Sequence, residues 1–364
     1  MNRYREIYLV TQLPVFQNRM FHTEEAAKNC GKGDVVVVQD LETGLIFNLA
    51  FRPEVMKYDD DYQNEQAVSA VFRHHLQSVS AVILKHFWQS SLIEIGCGKG
   101  YFLERLQAMG FKITGLDPSY QGQNPSVIKE YFSPEIGLRA DGIILRHVLE
   151  HIRDPVEFLS RVRDVNGGGG KIYIEVPCFD WICDHRTWFD IFYEHVNYFR
   201  LSDFYRMFST VYAAGRTFNG QYLWVVADLA TVRVPECSEA DRIDFPEGFR
   251  DSVDRYAAEL GTQNRSEQEK GGNIAIWGGA SKGVLFALYM ERAGAKVDMV
   301  IDINPAKQGK FLAATGIRVW SPEEAMSRLT SGANVFVMNS NYLNEIRELT
   351  AHQFNYRLVE HENE

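Results

Sequence analysis

Three groups of residues in this chain have the types and spacing for chemistry. The first is Leu92-Ile93-Glu94-Ile95-Gly96-Cys97-Gly98-Lys99-Gly100, followed by Ile113-Thr114-Gly115-Leu116-Asp117. Glycines after an apolar run let backbone N–H groups approach a ligand closely, and an acid ending the next run can accept both hydroxyls of a ribose. That pairing binds a nucleoside. Glu94, two residues ahead of the first glycine, disfavours a pyrophosphate and suits a ligand with a cationic or amine-bearing tail. The second group is Pro177–Phe199, PCFDWICDHRTWFDIFYEHVNYF, in which dense aromatics surround His185 and His195. A histidine inside a water-excluding aromatic pocket can move protons near neutral pH. His185 reads instead as part of a hydrophobic latch over the sheet. The third group is Trp277-Gly278-Gly279-Ala280-Ser281-Lys282-Gly283, with Asp302-Ile303-Asn304-Pro305-Ala306-Lys307-Gln308-Gly309 further on. Helix N-terminal amides beside a lysine form an anion site.

His147-Val148-Leu149-Glu150-His151 matches H-x-x-E-H, which on a helix places two zinc ligands on one face. Here it follows a strand, and Asp154-Pro155 interrupts any helix, so no metal is expected. The plain alternative is that Glu150 and His151 cap and hydrogen-bond the turn.

These groups need elements to position them. Asp34–Val38 and Leu45–Phe51 read as a β-hairpin through Glu42-Thr43-Gly44, and Asn64–Phe87 has apolar residues at helical spacing. Strands are expected at Leu92–Ile95, Lys112–Leu116, Gly142–Leu145, Lys171–Val176 and Tyr222–Leu229, the last closing the sheet, with helices at Gly100–Met109 and Pro155–Val162. Gly167–Gly170 is a turn. A polar stretch near Val232–Gly272 is a linker or connecting helix. The alternation then restarts, with strands at Ile274–Trp277, Val297–Ile301 and Asn334–Met338 and helices at Gly283–Ala293 and Pro322–Leu329. The fold class is therefore α/β: a Rossmann-like domain followed by a second Rossmann-like domain, with a small N-terminal hairpin and helix. The boundaries fall at 1–63, 64–231, 232–272 and 273–364.

Composition bounds the partners. Across 364 residues, 38 Lys and Arg stand against 48 Asp and Glu, a net −10, and no basic run offsets it. Nucleic acid is not an expected partner, because phosphate binding draws on clustered cations. No apolar run approaches the roughly 20 residues of a spanning helix, and Met1–Gln12 lacks the apolar run of a secretory signal. Five cysteines, Cys30, Cys97, Cys178, Cys183 and Cys237, are scattered without a C-x-x-C pair and read as reduced thiols of a cytoplasmic protein.

The first group resembles the opening motif of the class I methyltransferases that use S-adenosylmethionine, E/D-x-G-x-G-x-G, filled by Glu94, Gly96, Gly98 and Gly100. The resemblance implies that S-adenosylmethionine is held by these residues with Cys97, and by Asp117 at the ribose, Pro118, Arg146, His147, His151 and Tyr62. Glu194-His195-Val196-Asn197-Tyr198-Phe199 resembles the E-H-x-x-Y-F element of the sugar C-methyltransferases of deoxysugar pathways, which methylate a nucleotide-linked 4-keto-6-deoxyhexose. It implies His195 as the base that removes a proton beside the ketone, Glu194 as its orienting partner, and Tyr58, Phe192, Tyr193 and Tyr198 around the acceptor. The third group resembles the C-terminal domain of that family. It implies a nucleotide diphosphate held by Gly279, Ser281, Lys282 and Asn304. The likeness covers about residues 45–350.

The chain departs from the family on the acceptor side. Only Cys30 stands where the family carries a cysteine-rich zinc module, Phe192-Tyr193-Glu194-His195 replaces Tyr-His-Glu-His, and Asn219-Gly220-Gln221-Tyr222 lacks the arginine of G-G-S-L-R. Oxygen methylation, with His195 deprotonating a hydroxyl, is the alternative within the same chemistry. A nicotinamide oxidoreductase and a non-catalytic nucleotide-sugar sensor are the alternatives outside it.

Overall fold

The computed structural model describes residues 3–56, 61–268 and 274–360, with the backbone alone over 262–268. The N-terminal region holds β1 (Tyr4–Pro14), α1 (Glu24–Lys28), β2 (Lys32–Asp40) and β3 (Ile46–Asn48), and the strands form an antiparallel sheet in the order β1-β2-β3. The expected hairpin is β2 and β3. β1 was not foreseen, because Arg5 and Glu6 break its apolar alternation, and it buries only Tyr8, Val10, Leu13 and Pro14. Gly33 in β2 is a contact requirement: a Cβ there would lie 2.3 Å from the Tyr193 ring.

Helix α2 (Ala70–Phe87) starts later than the sequence pattern, at the point where Ser69 Oγ accepts the Phe72 N–H at 3.3 Å. Its apolar face, Phe72, Leu76, Val79 and Ile83, packs on the central sheet. That domain runs β4 (Ser91–Ile95), α3 (Tyr101–Ala108), β5 (Lys112–Leu116), β6 (Val127–Ile128), β7 (Gly142–Arg146), α4 (Pro155–Val165), β8 (Lys171–Pro177), α5 (Phe179–Asp184), α6 (Leu201–Met207), β9 (Val211–Thr217) and β10 (Tyr222–Asp228). The sheet order is β6-β5-β4-β7-β8-β10-β9, parallel from β6 to β8, with β10 antiparallel to both neighbours. β10 therefore does not close the sheet; β9 does. Its half-exposed faces and Gly215, which makes room for the Trp224 indole, leave it no apolar signature. Strand order reverses between β4 and β7, and a crevice at such a point is where α/β sheets bind ligands.

The expected linker contains helix α7 (Asp251–Gln268). Beyond it come β11 (Ala275–Trp277), α8 (Ser281–Arg292), β12 (Met299–Ile301), β13 (Val319–Trp320), α9 (Pro322–Arg328), β14 (Asn334–Val337), α10 (Leu343–Leu349) and β15 (Asn355–Leu358). The strands form a parallel sheet in the order β13-β12-β11-β14-β15. One buried apolar cluster runs from β1 and β2 through the central sheet and the 177–208 segment to α8, so the regions share a core. Among the described residues no helix is long and apolar enough to cross a membrane.

Candidate functional site

A cavity of about 750 Å³ lies at the carboxyl ends of β4, β7 and β11, with both glycine-rich turns on its wall. The first turn is built by positive φ at Gly96 (74°), Gly98 (57°) and Gly100 (82°). A Cβ on Gly96 would come 2.4 Å from Val148 Cγ2. The Gly98 N–H donates to Asp117 Oδ2 at 2.8 Å, and Ser119 donates its N–H and Oγ–H to Oδ1 at 2.8 and 2.7 Å. Asp117 is thus fixed at the end of β5, with its Oδ1 accepting twice and its Oδ2 once, so Oδ2 keeps acceptor capacity for a ribose hydroxyl. Glu94 is buried, and among the described residues its Oε2 has no hydrogen-bond partner. Burial pushes its carboxyl up to about 7, with Arg146 pulling the other way. An orphaned acid beside a glycine cradle fits a cofactor carrying an amine and a sulfonium. Cys97, Pro118, Arg146, His147, His151 and Tyr62 also reach the cavity wall. Gly100 does not: it precedes α3, and its N–H closes the turn on the Cys97 carbonyl at 2.9 Å.

H-x-x-E-H forms no zinc face on a helix. His147 has φ 52°, and only Leu149–His151 forms a single 3₁₀ turn, so the two histidines diverge. His147 lies 3.2 Å from Glu175 and 3.4 Å from Glu150. Burial works against its charge, yet these two carboxylates hold it up at about 9. Glu175 was missed by the sequence reading, although a lone acid inside the apolar run KIYIEVP was the available signal. It is fully buried on β8 and accepts from Tyr173 Oη (2.7 Å), His75 Nε2 (3.0 Å) and Arg146 Nη2 (3.1 Å). Against its burial, Arg146, His147 and His75 keep this carboxyl well below the usual range. The Arg146 guanidinium also stacks over Phe102 at 4.6 Å.

His195 faces the same cavity, with the Phe192 ring 3.9 Å and the His151 ring 5.1 Å from its own, centroid to centroid. Burial, then the nearby His151 and His147, hold its pKa well below the ordinary value, so the imidazole is neutral and its lone pair available. Glu194 is fully buried behind it. Its Oε2 accepts from Tyr62 Oη at 2.8 Å, and its Oε1 accepts the N–H groups of Gln17 and of Asn18, the latter at 3.1 Å. Burial pushes the Glu194 carboxyl up despite these donors. The N-terminal region therefore reaches the site through Gln17 and Asn18, which nothing in the sequence pattern marks.

Several acceptor expectations are corrected. Tyr193 and Tyr198 are packed in the core away from the cavity: Tyr193 Oη accepts the Arg52 N–H at 3.0 Å, and Tyr198 Oη donates to the Phe192 carbonyl at 3.3 Å. The anion site at the second turn is not open. Lys282 Nζ lies 2.5 Å from Glu360 and 3.2 Å from Asp190 and sits over the Trp181 ring, while the Gly279 N–H donates to Asp302 Oδ2 at 2.8 Å. Asn304 is buried and turned to Asp302 and to the Glu65 carbonyl rather than to the cavity. Ser281 does reach the cavity, with Oγ 3.3 Å from Asn18 Oδ1. Tyr58 lies outside the described residues.

Residues 65–211 match the methyltransferase domain family, and residues 228–356 match the C-methyltransferase C-terminal domain. By these matches the chain carries a methyltransferase domain followed by a C-methyltransferase C-terminal domain. The chain resembles the sugar C-methyltransferases picked out by its motifs. It is 24% identical over 269 residues to C-methyltransferase NovU of Streptomyces niveus, covering 64% of this chain and 63% of that protein. A tRNA U34 carboxymethyltransferase of Dichelobacter nodosus is 25% identical over 213 residues, 50% of this chain and 64% of that one. The chain thus spans a little under two thirds of each relative's length. A solved S-adenosylmethionine-dependent methyltransferase from Mesorhizobium loti aligns with TM-score 0.34 and 13% identity, over 44% of this chain and 100% of that one.

Proposed function

We propose that the protein transfers the methyl group of S-adenosylmethionine to a carbon beside a carbonyl in a small polar acceptor, a keto-deoxysugar. The observation that carries this reading is the His195 imidazole on the wall of the same cavity as Glu94, Gly96 and Gly98, with Glu194 anchored behind it. The cofactor supplies an electrophilic methyl carbon. His195 would take the proton next to the carbonyl, and the cavity residues would hold the resulting enolate carbon, the methyl group and the sulfur in line, so that the carbon attacks the methyl and the sulfur leaves. Glu194 positions the 194–195 backbone rather than contacting substrate. Nucleotide linkage of the sugar is the finest part of the proposal. It requires a diphosphate to draw Lys282 away from Asp190 and Glu360, or to use other cations on the wall such as Lys99. The division at residues 63/64, 231/232 and 272/273 belongs to the same proposal.

His195→Ala is expected to lower turnover by about 10²–10⁴-fold while leaving S-adenosylhomocysteine affinity within about twofold. The assay uses labelled S-adenosylmethionine and a panel of nucleotide 4-keto sugars, with the label located by mass spectrometry. Label on oxygen would replace the enolate reading with hydroxyl methylation. Unchanged turnover in the variant would remove His195 from the base role.

A further inference from the structure

Glu150, His151 and His195 offer one ligand atom each, and these atoms all lie within 4.8 Å of one another. The cluster does not use the pair of histidines that H-x-x-E-H would supply; it takes the last two residues of that segment and adds a histidine from 44 positions further along. Glu150 is the informative member. It is 1% exposed, and neither side-chain oxygen accepts a hydrogen bond among the described residues, although His147 Nδ1 stands 3.4 Å from Oε1. The His147 imidazolium stands on the Oε1 side, and Oε2 is the oxygen left for a further cation, because a buried carboxylate oxygen without a partner is costly. His151 is oriented as metal-bound histidines are. Its Nδ1 lies 2.8 Å from the Glu194 carbonyl, which can only accept, so Nδ1 carries the proton and the lone pair sits on Nε2.

The backbone holds the three together without help from an ion. The Glu150 carbonyl accepts the N–H groups of Val196 (2.7 Å) and Asn197 (3.0 Å), and Asn197 Nδ2 donates to the Leu149 and Ile152 carbonyls at 3.3 and 2.5 Å. The 149–152 and 195–197 segments are therefore one unit. Side-chain rotations on the order of 1 Å would bring two imidazole nitrogens and a carboxylate oxygen to the roughly 2.1 Å that such ligands adopt around a first-row ion.

From this geometry we infer that Glu150, His151 and His195 form a site for a divalent transition ion of the zinc and cobalt class, with the remaining coordination positions facing the cavity. The ion and a proton compete for the same lone pair on His195, so a filled site arrests methyl transfer. The arrest rests on the base assignment of the preceding subsection; the binding does not.

The test uses the full chain, freed of metal by chelation, and Co²⁺ as the probe. One saturable set of visible ligand-field bands is expected at one ion per chain, displaced by Zn²⁺. Glu150→Gln and His195→Gln, each checked for retained S-adenosylhomocysteine affinity, should weaken Co²⁺ binding tenfold or more. X-ray absorption of Zn²⁺ in the unaltered protein gives a second, variant-free readout, with imidazole and oxygen scattering expected. No bands, equal affinity in both variants, or sulfur ligation at zinc would overturn the site. Turnover should fall in step with Co²⁺ occupancy and return on chelation. Undiminished turnover at full occupancy would overturn the arrest and the His195 base together, leaving the binding result to stand or fall on the spectra.

Discussion

The two glycine-rich turns are built alike and used differently. In the first, the Gly98 N–H donates to Asp117 at 2.8 Å; in the second, the Gly279 N–H donates to Asp302 at 2.8 Å, and each acid ends the next strand of its sheet or directly follows it. The neighbours separate them. Beside the first turn an acid, Glu94, is buried with one oxygen unpartnered. Beside the second, Lys282 is enclosed by Asp190 and Glu360, and Lys307 is bound to Asp302 at 3.1 Å. A shared backbone design thus yields one turn poised for a cationic ligand and one already neutralised from within. The ligand's charge is decided by the side chains around the loop and not by the loop.

The contrast is broken most forcefully at Lys282. Lys282→Met removes the cation facing two carboxylates, and we expect a loss of about 3 kcal/mol in chemical denaturation, the low end for a broken buried pair because Ser340 still donates to Glu360. An unchanged or raised stability would restore the open anion site. Next comes Gly283, where a Cβ would sit 1.9 Å from the Gly278 carbonyl oxygen. Gly283→Ala should cost about 2–3 kcal/mol through that overlap, read by the same measurement. The smallest and sharpest effect is at Glu94. Glu94→Gln should weaken S-adenosylmethionine about 10–100-fold, about 1.4–2.7 kcal/mol by calorimetry, with stability little changed. Its pH dependence has a definite sign. A carboxyl raised from 4.5 to about 7 in the folded chain favours folding below pH 4.5, and that contribution is lost as pH rises to about 7. Binding of a cation runs the opposite way, so affinity should climb through about pH 7 in the native protein and stay flat in the variant.

How much of this was legible in the residues depends on range. Glu94, Gly96, Gly98 and Asp117 come together at one end of the central sheet because strand, turn and helix are local patterns. β5 was foreseen residue for residue, since Lys112–Leu116 is bounded by a glycine turn and a helix end. β1, β9, β13 and β15 were not: all are edge strands, β1 and β9 with polar exposed faces and β13 only two residues long. The same limit governs the site. An aromatic-rich segment announces a pocket but not which rings face it: Phe192 lines the cavity, while Tyr193, one residue on, packs against Gly33. Lys282 looked like a free cation because Glu360 lies 78 positions away and marks itself only by folding back. Gln17 and Asn18 act through backbone N–H groups, which every residue but proline possesses.

The cavity has one end on the central sheet and the other on the C-terminal sheet, and amide pairs meet across the gap. Gln221 and Asn339 exchange hydrogen bonds at 2.8 and 3.2 Å, and Asn219 reaches Asn341 at 2.5 Å. Such a joint works as a caliper: it fixes how long a molecule can be while touching both jaws. Because neutral amides do not titrate and are indifferent to ionic strength, their share of the joint should hold steady across salt and acidity changes, with the buried Lys282–Asp190 pair supplying the charged part.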